Sequence, residues 1–472
     1  MAEFGSGLGQ AVTEIDGQSF SQTSQAASEN GAHQSTAAYA AYVAFVLIVC
    51  YTFSFADRQI LSLLVGPIKH DLAVSDTRIG LLQGLAFAMF FVSMGLPLGR
   101  LADTSSRRNL IAVGVFFWSI MTSACSLART FTSLFLARIG VGVGEATLSP
   151  AAIPLLSDYF PEERLGTALG VYTMGASIGS GLALTIGGAV VDMVSRLKAV
   201  NVPILGTMAP WRLAFLVFGL PGFLLALLVC TIREPQRRKL LRMSDGRPLD
   251  LRLRDVFAQL AQRWQSMAGI SVGMVFQSMC AVAFFAWTPT YFVRAHGWTA
   301  GEAGKALGLA TLVFCCGGLY AGGVLSDYWQ RKGIWEGPLR VAALSSIGMG
   351  VFLVLATMIP SGKWAMAFAA ITLFFIGLPT GGICAAIQKI FPNQVRGQIT
   401  AVFFIILNLG GMIVGPLLPG LFSDHLFRNE TMIGPSLALT AAISSILMSV
   451  IFPMTYRHYR RDYLLANPQL MI

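Results

Sequence analysis

Four ionisable side chains sit where the surrounding sequence is otherwise fit for hydrocarbon. Asp57 and Arg58 are adjacent in "FADRQIL" (55–61), and Arg138 and Glu145 lie in "ARIGVGVGEA" (137–146). Seven residues are two helical turns, so Arg138 and Glu145 share a face, about 10 Å apart along the axis. An ionised group at the middle of a membrane span costs about 2.5–3.5 kcal/mol on insertion scales, so four of them in two segments need a reason. One reason is structural: acid and base neutralise each other and pin two helices together. The other is chemical. Desolvation raises the pKa of a carboxylic acid while a neighbouring arginine lowers it, so carboxylates facing arginines in a cavity alternately wet and occluded can exchange protons. On that reading Asp57 and Glu145 are proton-coupling acids, and Arg58 and Arg138 are their switching partners or the contacts of an anionic headgroup. The depths predict that Arg138 meets Asp57, roughly 14 Å along the helix from its outer end.

The segments that position these groups follow from composition. Hydrophobic residues make up 55% and charged residues 12%, with mean hydropathy +0.66, against about 25% charged residues in an ordinary soluble domain. The sequence predicts an all-α membrane protein of twelve transmembrane helices, near 40–67, 77–101, 108–128, 131–158, 164–194, 211–232, 266–293, 300–326, 339–360, 362–390, 395–423 and 434–456. Each run is long enough to cross a hydrocarbon core of roughly 30 Å. With the N-terminus cytoplasmic, the cytoplasmic segments hold roughly twice as many Lys and Arg as the outer ones, which sets both termini inside. Much of the +10 net charge falls in 233–263, a basic segment suited to anionic lipid headgroups rather than nucleic acid. Residues 1–37 are polar and without an apolar core, and are expected to be disordered.

The chain repeats itself. "GRLADTSSRRN" carries Gly99, Asp103, Arg107 and Arg108; "GVLSDYWQRKG" carries Gly323, Asp327, Arg331 and Lys332 at the same offsets. "FPEERLG" (160–166) and "FPNQVRG" (391–397) form a second pair. The protein therefore reads as two pseudo-symmetric six-helix halves, 38–232 and 264–457, joined by the linker 233–263 and ending in a cytoplasmic tail, 458–472. The charged loops Asp103, Arg107, Arg108 and Asp327, Arg331 are placed to latch the halves on the cytoplasmic side or merely to fix topology.

These motifs resemble the major facilitator superfamily, and the resemblance covers the chain from residue 38 onward. It implies the major facilitator fold, in which the first, fourth, seventh and tenth helices line a cavity that opens to either side in turn. Ser106 and Gln330 stand where the family's loop motif carries glycine. "FADRQIL", "RIGVGVGEA" and "WTPTYFVRAHGW" (287–298) are further similar to the Spinster-like branch. That similarity implies proton-driven movement of lysophospholipids or sphingosine phosphates, with functional roles for Asp57, Arg58, Arg138 and Glu145 and an external role for Arg294. Branches that move hexuronates and other organic acids share "GEATLSPA", so a small organic anion is the alternative cargo, and a passive lipid scramblase the alternative activity. Nothing in the pattern calls for a cofactor beyond the proton gradient, and a monomer in a bacterial inner membrane is expected.

Other signals carry no chemistry. "GASIG" (175–179) matches a hydrolase elbow but lies within a membrane helix with no base for its serine. The five histidines lie in loops and tails, and the seven cysteines form no metal pair or disulfide framework. The glycines of the fifth helix, and "GGMIVGPLLPG" with Pro416 and Pro419 in the eleventh, permit close crossing of helices that must move.

Overall fold

The computed structural model describes residues 37–160, 162–195, 200–202, 206–235, 253–391 and 396–467. The expected N-terminal tail and most of the basic linker lie outside the described residues. Twelve helical spans are long and apolar enough to cross a membrane, from Ala38–Leu63 to Glu430–Ala466. The chain is an integral multi-pass membrane protein. Connections on one end of the bundle, here the terminal face, include the segment between the sixth and seventh spans; the opposite end is the far face.

Several spans are broken where the sequence removes a backbone donor or invites a bulge. The fourth span is helical over Phe131–Glu145 and Leu148–Tyr159, because Pro150 cannot donate to the Ala146 carbonyl. The tenth breaks at the matching place, between Gly362–Gly377 and Thr380–Ile390, ahead of Pro379. The carbonyls freed there are not left bare. Ser345 donates to Phe375 O at 2.6 Å and Gln277 Nε2 to Ile376 O at 2.7 Å, as a backbone in a dry interior requires. The second span breaks at Gly84, and π-helical turns interrupt the eighth at Thr311–Cys315 and extend the eleventh through Phe422–Leu426.

Three features depart from the sequence reading. A two-stranded hairpin, β1 (Val200–Val202) and β2 (Gly206–Met208), joins the fifth and sixth spans. A short helix, Val65–Leu72, extends the first span along the far face. The last helix runs through the expected tail to Ala466, because Tyr459 and Tyr463 continue its buried stripe and Ser266 donates to the buried Asp462 at 2.6 Å.

The two halves meet through glycines at the far face. A Cβ on Gly80 would stand 2.6 Å from Pro416 O, and one on Gly84 2.7 Å from Met412 O; on Gly304 and Gly308 it would stand 2.4 Å from Leu184 O and Gly181 O. The second span thus lies backbone to backbone on the eleventh, and the eighth on the fifth, as small residues permit. Toward the terminal face the same helices part: Gly95, Gly99, Gly170 and Gly323 have no atom within 4 Å of a built Cβ. The buried apolar clusters agree. One runs from the C-terminal half into the far-face end of the N-terminal half; the other holds the terminal-face end of the N-terminal half alone, with only Met412 of the opposite half packed against it. The molecule is a V, closed at the far face and open at the terminal face.

Gly308→Val and Gly84→Val should each destabilise the protein by about 1–3 kcal/mol through overpacking at a backbone contact, read as a lowered unfolding midpoint in detergent. Gly323→Val, in open space, should leave the midpoint unchanged.

Candidate functional site

The first span turns three polar residues in different directions at one level. Ser54 and Arg58, four residues apart, share the face toward the fourth span; Asp57 is turned about 100° away, toward the third. Arg58 meets Glu145, with Nη2–Oε2 at 2.7 Å and Nε–Oε2 at 2.8 Å, and Ser54 Oγ donates to the same carboxylate oxygen. Three rings cage the guanidinium: its Cζ lies 4.4 Å from the centroid of Phe87, 4.6 Å from Phe55 and 4.9 Å from Phe91. Such contacts favour a cation most where water is scarce. Glu145 Oε1 has no partner among the described residues, so the carboxylate keeps a free lone-pair side for a proton.

Asp57 is paired differently from the sequence expectation. Its Oδ2 accepts a hydrogen bond from Thr122 Oγ1 of the third span, and Oδ1 has no partner. Arg138 reaches the Asp57 backbone carbonyl at 3.5 Å rather than its carboxylate. Arg138 and Asp57 meet through the backbone carbonyl, but the helical rotation that aims Arg58 at the fourth span carries the Asp57 side chain away from it. Arg138 is 1% exposed and, among the described residues, makes no ion pair; its Nε is unpartnered. Its Cζ also lies 5.8 Å from the centroid of the Phe87 ring.

Both arginines line a cavity of about 230 Å³ between the halves. Phe55, Gln59, Ser62, Gln83, Phe87 and Ser180 complete the wall from the N-terminal half; the C-terminal half gives Ala281, Val282, Phe285, Ala286, Met412 and Pro416. The offset that carries Gly99 onto Gly323 carries Asp57 and Arg58 onto Ala281 and Val282, so the charged pair of one half is apolar in the other. Gln83 Nε2 donates to Ala286 O at 3.3 Å, and Trp287 Nε1 to Pro416 O at 2.8 Å, closing the roof toward the far face. The arginines face the cavity and the acids stand behind them.

The loop clusters of the terminal face do not join the halves in this conformation. Arg107 pairs with Asp158 of its own half. Glu234 accepts from the backbone N–H groups of Arg107 and Arg108 at 3.1 and 2.9 Å and from Ser106 Oγ at 2.8 Å, capping the third span. Asp327 and Arg331 are exposed, and the structure does not describe the Asp103 side chain.

Arg294, by contrast, is engaged across the halves at the far face. Its Nη1 and Nη2 grip both oxygens of the buried Asp76 at 2.8 Å each, while Lys69 Nζ and Ser423 Oγ donate to the same carboxylate at 2.9 Å. Lys69 also pairs with Glu430 at 2.8 Å. The sequence singles out Arg294 but not its partners Asp76 and Lys69, nor Ser54 and Thr122. The only available signal for Asp76 was an acid beside Ser75 at a helix start, which reads as ordinary capping. The hydroxyls of Ser54 and Thr122 give no sign of their partners.

Comparison with known proteins agrees with this architecture. Residues 47–416 match the Major Facilitator Superfamily. The chain is 27% identical over 425 residues to an MFS-type efflux pump of Mycolicibacterium smegmatis, covering 88% of this chain and 92% of that one. It is 24% identical to a probable L-galactonate transporter of Escherichia coli, covering 85% and 88%. Among solved structures, a bacterial homologue of the human lysosomal transporter Spinster, described as inward-facing and unoccupied, superposes with a TM-score of 0.75 at 25% identity, covering 91% of this chain and 99% of that one.

Removing one member of the Arg58–Glu145 pair leaves a buried charge alone, so Glu145→Ala should destabilise the protein by about 3–5 kcal/mol. A double-mutant cycle with Arg58→Ala, followed by thermal or chemical unfolding, should show the double variant well short of the sum of the singles.

Proposed function

From the premise that the chain belongs to the Major Facilitator Superfamily and is a secondary transporter, we propose that it moves an anionic amphipath of the lysophospholipid or sphingosine-phosphate kind together with protons. The observation that carries this reading is the cavity itself: two guanidiniums, Arg58 and Arg138, on one wall and an apolar surface on the other. A headgroup bearing phosphate or carboxylate satisfies the arginines, which bind such groups through two parallel hydrogen bonds, and an acyl tail covers Ala281, Val282 and Phe285. The terminal face is assigned to the cytoplasm of a bacterial inner membrane, with the basic linker against anionic lipid. The cleft then opens inward, as in the Spinster homologue.

Coupling follows from competition for Arg58. Glu145 holds that guanidinium now; a substrate anion takes it most readily when Glu145 carries a proton. Proton and anion therefore favour each other's binding, which by linkage makes them cotransported. Asp57, turned toward Thr122, is the second proton site, and its occupancy sets how firmly Arg138 is held. The Arg107 and Arg331 loops form the inner gate when the cleft closes, and Arg294 with Asp76 the outer gate.

A small organic acid is the second reading, favoured by the size of the cavity and by the galactonate-transporter relative. Proteoliposomes separate the possibilities. Wild type should take up lysophosphatidylglycerol against its gradient when a pH gradient is imposed, and Asp57→Asn and Glu145→Gln should fall to the protein-free background. Uptake of galactonate but not lysolipid would transfer the assignment to the second reading. Lysolipid equilibration without a pH gradient, unchanged in both variants, would mean passive scrambling and overturn the proposal.

A further inference from the structure

We propose that Asp192 and Asp424 are a matched pair of far-face latches, each closing one side of the molecule by capping the first turn of a helix in the opposite half. Asp424, in the π-helical end of the eleventh span, accepts from the backbone N–H of Thr77 at 2.6 Å and of Asp76 at 3.3 Å. These open the second span of the N-terminal half. Asp192, near the end of the fifth span, accepts from the backbone N–H of Gly301 at 2.9 Å, and its other oxygen accepts from Thr299 Oγ1 at 3.3 Å. These open the eighth span of the C-terminal half.

The two contacts are one contact made twice. The offset relating the loop repeats carries Ser75, Thr77, Gly80 and Gly84 onto Thr299, Gly301, Gly304 and Gly308. Ser75 and Thr299 are the N-caps of their helices, and Thr77 and Gly301 offer the same N–H to the two aspartates. On the partner helices, the offset that carries Phe160 onto Phe391 brings Asp192 to Ser423, one residue short of Asp424. The π-helical turn at Phe422–Leu426 accounts for the difference, since such a turn accommodates one extra residue.

The physics of the contact is that of a helix start. The first N–H groups of a helix have no partner inside it, and their aligned dipoles favour a negative charge. In most helices a residue of the same chain segment supplies the acceptor. Here Ser75 and Thr299 cap the third N–H of each helix from within the segment, and the other half supplies the acceptor for the N–H before it, on Thr77 and Gly301, so opening the far face leaves that N–H without its acceptor and each carboxylate without its donors. The glycine seams alone would let the helices slide or part at little cost; the two caps fix them in register. Arg294 and Lys69 reinforce only the side of Asp424, through Asp76. The residue matching Asp76 in the repeat is Ala300, so no carboxylate at that position joins Asp192 on its side.

The test reads shape rather than transport, so an error in the assigned cargo leaves it intact. Spin labels at Arg129→Cys, exposed on a far-face loop, and Lys363→Cys, exposed in the first turn of the tenth span in the opposite half, report the far-face distance by double electron–electron resonance, with the exposed Cys230 replaced by serine. Asp192→Ala and Asp424→Ala should each raise the open-to-closed ratio about fivefold, the size of a typical lost cap, and together by more than either alone. Asn at either position should restore closure, because its carbonyl accepts the same N–H. Gly301→Ala attacks the latch from the other side, since its methyl would stand 1.8 Å from Asp192 Oδ2, and should open the face as Asp192→Ala does. Wild-type distances in the double alanine variant, or an effect from only one of the two aspartates, would overturn the proposal.

Discussion

A charge buried in a membrane protein must be met by another charge or a strong dipole, because nothing in hydrocarbon will solvate it. The centre of this molecule is arranged around that constraint. Glu145 is met by Arg58 and Ser54, and Asp57 by the hydroxyl of Thr122. Arg138, among the described residues, has the Asp57 carbonyl at 3.5 Å and the Phe87 ring, and no carboxylate in an ion pair. The cluster is balanced in number, two acids and two bases, but not in pairing. The surplus lies on the cavity side, where both guanidiniums face the space between the halves. A staple would have been built the other way, with each base tied to an acid and nothing left for a ligand.

The same constraint explains the two ends of the molecule. At the far face, helix starts and carboxylates from opposite halves satisfy one another, and glycines bring the backbones close enough for them to do so. At the terminal face, the comparable groups are satisfied within one half: Arg107 by Asp158, and the start of the third span by Glu234.

The architecture was legible because it rests on signals with a direct physical reading. Apolar runs of membrane-spanning length gave the twelve spans, and the duplicated loop motifs gave the halves. The four central charges stood out because insertion scales make each of them expensive. What escaped the sequence was pairing. Asp57 and Arg58 are neighbours in the chain, yet the 100° step of the helix sends one to the third span and the other to the fourth, and no spacing rule states which. The far-face lock escaped for another reason. Asp76, Asp192 and Asp424 each look like ordinary polar residues at the end of an apolar run, and only the assembled halves reveal that their partners lie across an interface. Of the charged loop residues on the terminal face, Arg107 is engaged within its own half while Asp327 and Arg331 are exposed.

The central claim is that an anion and Glu145 compete for Arg58, so that substrate binds with a proton. The most direct measurement is proton movement on binding: purified protein in weakly buffered detergent solution, mixed with lysophosphatidylglycerol and followed with a pH indicator. The account predicts that the mixture takes up protons as ligand binds, and that Glu145→Gln binds the ligand with the share of that uptake owed to Glu145 gone. Ligand binding by the wild type with no proton uptake, or with release of protons, would contradict it.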